Sequence, residues 1–197
     1  MRKINYIVIH HSVTPRDLPL QQSVSSFSNS HKARLHPEPN SKGLHVAYHW
    51  VVAGDGSKME TRGLDEVGYH ASSLSMNKES LGICLTGHFD NEKPSNAQMA
   101  TLKKLVCWAC EEFDVSPENV IGHKDVKGVK KTCPGANLYA LLPEVRESVE
   151  MGAKISPWAE DAWSWGLDNE IIGEDSDPQK TVSKEELLTV LYRITKL

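Results

Sequence analysis

The sequence predicts an α/β domain, in which a central mixed β-sheet is flanked by helices, followed by a small helical module. Three observations support this fold class. Short apolar runs of strand length alternate with longer segments of helical periodicity, two of the runs are joined by a tight glycine turn, and the composition changes after residue 150. We therefore expect two domains, residues 1–150 and 151–197.

The first half of the larger domain alternates strand and helix patterns. Residues 4–10 form an apolar run typical of a buried strand, and residues 20–34 are compatible with a helix. Residues 46–52 and 57–61 flank the sequence Gly-Asp-Gly at 54–56, which predicts a β-hairpin.

The second half of this domain predicts one more buried strand and then mostly helices. Residues 80–86 form a short apolar run suited to a central strand. Ser95 and Gln98 have capping-box spacing at the start of a helix that ends near Phe113. A short apolar step at 120–121 follows, and residues 138–149 predict a further helix.

Charge and hydropathy exclude several classes of protein. The net charge of -4 and the pI near 6.1 argue against a nucleic-acid partner, which requires a basic face. The apolar run near the N-terminus is too short for a signal-peptide core, and no later stretch could span a membrane. We expect synthesis in the cytoplasm and no membrane partner.

The four cysteines do not form the framework of a small disulfide-rich domain, so a reduced protein is expected. Cys107 and Cys110 have CxxC spacing, which is typical of redox or zinc sites. They lie within a segment of helical periodicity, however, and mid-helix cysteines are usually small core residues. We favour the core interpretation.

A possible metal site is indicated by the turn-rich segment at 122–135, GHKDVKGVKKTCPG. It places His123 and Cys133 ten positions apart, and His10 at the end of the first strand could supply a third ligand. Such a His2Cys set would leave one position open on zinc, as amide hydrolysis requires. Each residue taken singly is more often a packed or hydrogen-bonded side chain, and spacing alone does not prove the site.

Five blocks of sequence, in order, resemble the type 2 N-acetylmuramoyl-L-alanine amidases, a family that includes phage lysozyme-type amidases and peptidoglycan recognition proteins. The blocks are YIVIHHSVT at 6–14, VAYHWVV with GDG at 46–56, LDEVGYHA at 64–71, SLGICLTGHFD at 80–90, and GHKDV with TCPG at 122–135. The resemblance covers about residues 3–145. It implies a peptidoglycan recognition protein-like amidase fold and a zinc enzyme that cuts the amide between the lactyl group of muramic acid and L-alanine.

The resemblance assigns roles to particular residues. It implies that His10, His123 and Cys133 bind Zn2+, that Tyr48 hydrogen-bonds the attacking water or the leaving amine, and that Lys131 stabilises the developing oxyanion. The alternatives without a catalytic role are that Tyr48 is a packed strand residue and that Lys131 is a solvated surface residue.

Several neighbouring residues compete for these roles. A slip of one position in the alignment would make His11 the first ligand, and Lys127 and Lys130 compete with Lys131. His70 is expected either to line the substrate groove, or to support a metal ligand or pack in the interior. Asp125 could orient His123, since metal-bound imidazoles usually donate their other N–H to an acceptor. The other histidines, His31, His36, His45, His49 and His88, are expected to be surface or structural residues.

The C-terminal segment is similar to a single S-layer homology motif. The similarity is carried by PWAEDAWSWG at 157–166, IIG at 171–173, VSKEE at 182–186 and LYR at 191–193. Such motifs usually occur in threes and bind secondary wall polymers, whereas this chain carries one copy. A small core formed by the tryptophans is an equal alternative.

Together these patterns predict a zinc-dependent peptidoglycan amidase with a wall-targeting appendage, most simply a phage or prophage endolysin that reaches the cell wall after release at lysis. A non-catalytic peptidoglycan recognition module is the first competitor, although the resemblance implies that inactive members lose the cysteine, which is present here. A bacterial autolysin would perform the same chemistry. A small metalloprotease is disfavoured because no HExxH motif is present.

Overall fold

A computed structural model describes residues 2–35, 38–152 and 165–166. The chain divides into two compact units, Met1–Val149 and Glu150–Leu197. The elements described below lie in the first unit, except for the end of the last helix. Nearly all of the predicted helical module, including most of the S-layer-like segment, lies outside the described residues, as does His36. Their predictions stand as made.

A five-stranded mixed sheet forms the centre of the first unit, as the sequence predicts. Its strands lie in the order β3-β2-β4-β1-β5, and every neighbouring pair is parallel except the β2–β3 hairpin. The strands are β1 Tyr6–His11, β2 Trp50–Val52, β3 Lys58–Glu60, β4 Ser80–Leu85 and β5 Val120–Gly122.

Five α-helices accompany the sheet in the described part of the chain. They are α1 Leu20–Leu35, α2 Leu74–Glu79, α3 Asn96–Phe113, α4 Ala136–Tyr139 and α5 Leu142–Gly152. The predicted capping box of α3 is confirmed: Ser95 Oγ accepts from the Gln98 N–H, and the Gln98 carboxamide oxygen accepts from the Ser95 N–H. No described helix has the length and apolar character of a membrane span.

The apolar strands and the inner face of α3 form the core. Strands β1 and β4 are buried along almost their whole length, because both are covered on both faces. Residues of α3 complete the largest apolar cluster, among them Leu102, Leu105, Val106, Ala109 and Cys110. The core interpretation of the CxxC pair is thus confirmed for Cys110, and Cys107 is half-buried with its Sγ 3.3 Å from the Ser148 carbonyl oxygen.

Three local predictions were inaccurate. The first strand of the hairpin begins at Trp50 instead of Val46. Ala47, for example, accepts a single hydrogen bond from the Tyr69 N–H in a later loop, so it is not part of a strand ladder. Helix α2, capped by Ser73, falls in a region without a predicted helix. The predicted helix at 138–149 is two helices, since Pro143 lacks an N–H and its ring would clash with the preceding turn.

The sheet topology brings distant sequence segments to one edge. His10 at the end of β1 lies opposite Cys84 of β4, and Ile9 lies opposite Gly122, the last residue of β5. Because parallel strands end at the same edge, the chain that leaves β5 continues directly beside His10. This edge carries the candidate site.

Candidate metal centre

Three side chains proposed from the sequence as metal ligands converge at this sheet edge. One potential ligand atom from each of His10, His123 and Cys133 lies within 4.8 Å of the other two. Cys133 Sγ is 3.6 Å from His10 Nδ1, and the imidazole centroids of His10 and His123 are 4.5 Å apart. Their function as ligands stays a prediction, but the geometry needed for it is present.

The alternation of β1 separates the two adjacent histidines. His10 faces Cys133, whereas Nδ1 of His11 accepts a hydrogen bond from the Phe89 N–H at 3.2 Å. Successive side chains of a strand point to opposite faces. The geometry therefore favours His10 over the alternative, His11.

The loop that carries Cys133 is held by its neighbours. Asp90 accepts hydrogen bonds from the Thr132 hydroxyl at 2.8 Å and from the Ala136 N–H at 3.0 Å. The Cys133 carbonyl oxygen accepts from the Lys124 N–H at 2.8 Å, which ties this loop to the turn containing His123.

The sequence suggests that Asp125 could orient His123, but its carboxylate does not bond the imidazole. Its carboxylate accepts from the Gly122 N–H at 2.9 Å and from the Tyr139 hydroxyl at 2.9 Å. Both bonds fix the 3-10 turn His123–Asp125 as a whole. Asp125 therefore stabilises the backbone that carries the histidine instead of its imidazole.

Burial sets the protonation of the three side chains. It lowers the pKa of His10 well below the ordinary value, helped by the nearby His70 and His123. It lowers the pKa of His123 to about 4, with Lys131 as the next cause, and raises the pKa of the Cys133 thiol to about 11. Neutral imidazoles are the form that binds metals, whereas the thiol must lose its proton on binding.

A cavity of about 600 Å3 opens above these residues. Among the described residues, those that line it include two cations, Arg34 and Lys131, and no carboxylate, although the chain as a whole carries a net charge of -4. The cavity therefore favours an anionic or neutral polar ligand over a cationic one.

Tyr48 and Lys131, the candidate catalytic residues, both line this cavity, whereas Lys127 and Lys130 do not. The Tyr48 ring centroid is 5.1 Å from that of His10. Burial raises the pKa of Tyr48 well above its ordinary value, so its hydroxyl keeps its proton near neutral pH and can donate a hydrogen bond.

His70, the weak substrate-binding candidate, is buried beside the predicted ligands. Its Nδ1 is 3.1 Å from Nε2 of His10. This placement agrees with the alternative in which His70 supports a metal ligand, although the residue also lines the cavity.

Sequence reasoning missed other residues that line the cavity. His31, expected to be surface or structural, contacts the Tyr48 ring edge to face at 5.4 Å between centroids. Ser72 Oγ lies 3.4 Å from Nε2 of His123. Neither residue has a motif of its own. His49, by contrast, is fully buried and structural, with its Nδ1 accepting the Gly82 N–H.

Comparison with known proteins points to one family. Residues 1–136 match the family described as N-acetylmuramoyl-L-alanine amidase. Peptidoglycan-recognition protein 1 of Holotrichia diomphalia is 29% identical over 142 residues, which cover 70% of this chain and 67% of the relative.

Solved structures give the same result. The N-acetylmuramoyl-L-alanine amidase LysC of Clostridium intestinale URNW superimposes with a TM-score of 0.60 at 26% identity, covering 76% of this chain and 87% of that protein. The endolysin amidase LysCS of the same organism gives a TM-score of 0.56 at 27% identity, with 69% and 78% covered.

Proposed function

The chain belongs to the N-acetylmuramoyl-L-alanine amidase family, and from this premise we propose that it is a zinc-dependent hydrolase of the lactyl-L-alanine amide bond of peptidoglycan. The observation that carries the proposal is the convergence of His10, His123 and Cys133 at the floor of an open cavity. Family membership supports the peptidoglycan substrate, and the site supports catalysis.

The three side chains fit zinc by their chemistry. Two imidazoles and one thiolate are a ligand set that zinc accepts, and three protein ligands leave one position for water or substrate. The ligand atoms lie within 4.8 Å of one another, so small side-chain rotations would bring all three within bonding distance, about 2.0–2.3 Å, of one ion. When bound there, zinc would supply a Lewis acid for the amide carbonyl and would lower the pKa of a water molecule.

Tyr48 is proposed to hold the reacting groups in place as a hydrogen-bond donor. Its hydroxyl keeps its proton near neutral pH because burial raises its pKa. The ring contacts the imidazoles of His10 and His31. A fixed neutral donor can orient the nucleophilic water or the leaving amine without a change of charge.

Lys131 is proposed to stabilise negative charge that develops on the carbonyl oxygen. It is an exposed side chain at the rim of the cavity, two residues before Cys133 in a loop tied down by Asp90. Its position in the loop therefore keeps the ammonium group near the reacting bond.

The cavity suits the anionic stem peptide of peptidoglycan. Arg34 at the end of α1 and Lys131 line the cavity, and no carboxylate lines it within the described part of the chain. The carboxylates of a stem peptide would therefore enter a cationic groove. The relative named a peptidoglycan-recognition protein supports this ligand class.

A peptidoglycan-binding module without catalysis is the second candidate, favoured by the relatives that are named recognition proteins. Both functions use the same cavity. Cys133, in reach of His10 and His123, supports the enzyme because it completes a metal site that recognition alone does not need.

We further propose an endolysin role, with residues 1–150 as the catalytic domain and residues 151–197 as a wall-binding module. The similarity to an endolysin amidase supports this role. In this proposal the enzyme is made in the cytoplasm and reaches the wall at lysis.

Digestion of purified Gram-positive peptidoglycan, followed by mass spectrometry, tests the activity. We expect peptides with free L-alanine amino termini and no new reducing ends, and we expect their release to stop after chelation and to return with zinc. A folded, zinc-loaded protein that binds the polymer and releases no peptide would refute the enzyme and leave the recognition module.

A further inference from the structure

We propose that His70 and Ser72 are positioning residues that fix the orientation and tautomer of the two histidine ligands. His70 Nδ1 accepts a hydrogen bond from His10 Nε2, and Ser72 Oγ accepts one from His123 Nε2. Both imidazoles then present Nδ1 to the metal. The inference rests on the proposed metal site, and it assigns to one short segment the support of both histidines.

The two nitrogens of His10 have different neighbours. Nδ1 lies 3.6 Å from Cys133 Sγ, and Nε2 lies 3.1 Å from His70 Nδ1. A nitrogen that binds a metal carries no proton, so a neutral His10 that binds through Nδ1 carries its proton on Nε2. That proton points at His70 Nδ1, which must then be the acceptor.

His123 shows the same arrangement. Its Nε2 lies 3.4 Å from Ser72 Oγ, which leaves Nδ1 as the nitrogen that can bind the metal. Two ligands from separate elements thus use the same atom. In both cases the acceptor for the other nitrogen comes from the segment His70–Ser72.

The backbone of this segment is held in an unusual conformation. Asn77 Oδ1 accepts hydrogen bonds from the N–H groups of both His70 and Ala71, at 3.0 and 2.8 Å. Ser72 has a φ of +56°, in the left-handed region, although it is not a glycine. Such a conformation persists where the surroundings impose it, and it is common at functional sites.

The structure also reserves a slot for the ring of His70. A Cβ added at Gly82 or at Gly68 would lie 2.6 Å from the imidazole, so neither position leaves room for a side chain. The ring is 5% exposed, and its Nε2 has no hydrogen-bond partner within the described residues. An apolar side chain would fill this slot without burying an unpaired polar atom. The cost of burying Nε2 therefore indicates that the other ring nitrogen, Nδ1, has a function.

Zinc affinity of the full-length apo protein, measured by competition with a chromophoric chelator, tests the role of His70. We expect His70→Leu to weaken zinc binding about 10- to 100-fold, the range usual for residues that support metal ligands. In His70→Asn, the side-chain oxygen can replace Nδ1, and we expect most of the affinity to return. His88→Asn, which changes a histidine outside the cavity lining, is the matched control and should bind zinc like the wild type.

Ser72 has its own test. Ser72→Ala removes the acceptor for His123 and should weaken zinc binding several-fold, whereas Ser75→Ala, a serine that bonds Glu79 on the exposed side of α2, should not. In the cobalt-substituted protein, the visible bands should shift in Ser72→Ala and His70→Leu and keep their wild-type positions in the controls.

The outcomes separate this inference from the proposed function. Wild-type zinc affinity in folded His70→Leu and Ser72→Ala overturns the inference alone, and so does an equal loss in His70→Asn and His70→Leu. If His70→Leu does not fold, His70→Asn and Ser72→Ala decide. A wild-type protein that binds no zinc overturns the proposed metal site itself, and the inference with it.

Discussion

Replacement of Gly82 by alanine tests the slot that holds His70. Gly82 lies in the middle of β4, opposite Val8 of β1, and its backbone is bonded on both sides to His49, through the Gly82 N–H to Nδ1 and the His49 N–H to the Gly82 oxygen. The strand therefore cannot move away from an added methyl group. The imidazole of His70 must move instead.

The size of the effect follows from the distances. The added Cβ would meet Cδ2 and Cγ of His70 at 2.6 Å and Nδ1 at 2.8 Å. Carbon atoms in contact lie about 3.5–4.0 Å apart, so the overlap is roughly 1 Å. Overpacking of this kind costs about 1–3 kcal/mol, and we expect Gly82→Ala to destabilise the apo protein by about 2 kcal/mol.

A second substitution should reverse the sign. In a His70→Ala background the clash is absent, and alanine in a strand is favoured over glycine by about 0.5–1 kcal/mol. Gly82→Ala should then be neutral or stabilising. Urea unfolding of the wild type, the two single variants and the double variant gives the coupling energy, which we expect to be about 2 kcal/mol. Additive effects of the two substitutions would refute the steric argument.

Three further predictions concern the cavity. Tyr48→Phe should lower kcat about 100-fold in the peptidoglycan digest while zinc content is unchanged, because the donor is lost and the ligands are not; loss of zinc would contradict this role. Lys131→Met should lower kcat about 100-fold or more, whereas Lys130→Met, outside the cavity, should not; equal losses would contradict the assignment. Burial, with Arg34 and Arg62, lowers the pKa of His31 to about 4, so folding favours its neutral form. Its contribution to stability, up to about 3 kcal/mol, is complete above pH 6.5 and is lost as the pH falls toward 4. His31→Asn keeps an acceptor for the Ala47 N–H and should flatten the pH dependence of the free energy of unfolding in urea between pH 6.5 and 4. A variant with the same pH dependence as the wild type would contradict this role of His31.

The sequence predicts most of the sheet because its strands are apolar runs with clear ends. Tyr6–His11 and Ser80–Leu85 are buried on both faces, so hydrophobicity alone marks them. The capping box of α3 is a local signal that the sequence shows directly, as Ser95 followed by Gln98 three residues later. Helix α2 was missed because it has six residues and one buried side chain, Asn77, which gives no apolar period.

The candidate ligands were predictable for a different reason. His10, His123 and Cys133 lie in segments whose residue types and resemblance to a family single them out. Ser72 and His31 were not predictable, since their roles depend on contacts between distant segments. Ser72 approaches His123 across 51 residues, and His31 reaches Tyr48 from helix α1.

The central claim is that His10, His123 and Cys133 bind one zinc ion. X-ray absorption at the zinc edge of the purified full-length protein, together with its metal content, tests this claim most directly. We expect one equivalent of zinc with two nitrogen ligands near 2.0 Å, one sulfur near 2.3 Å and one further light atom, and loss of the sulfur shell in Cys133→Ser. A spectrum without sulfur, or a folded protein that takes up no zinc, would contradict the account.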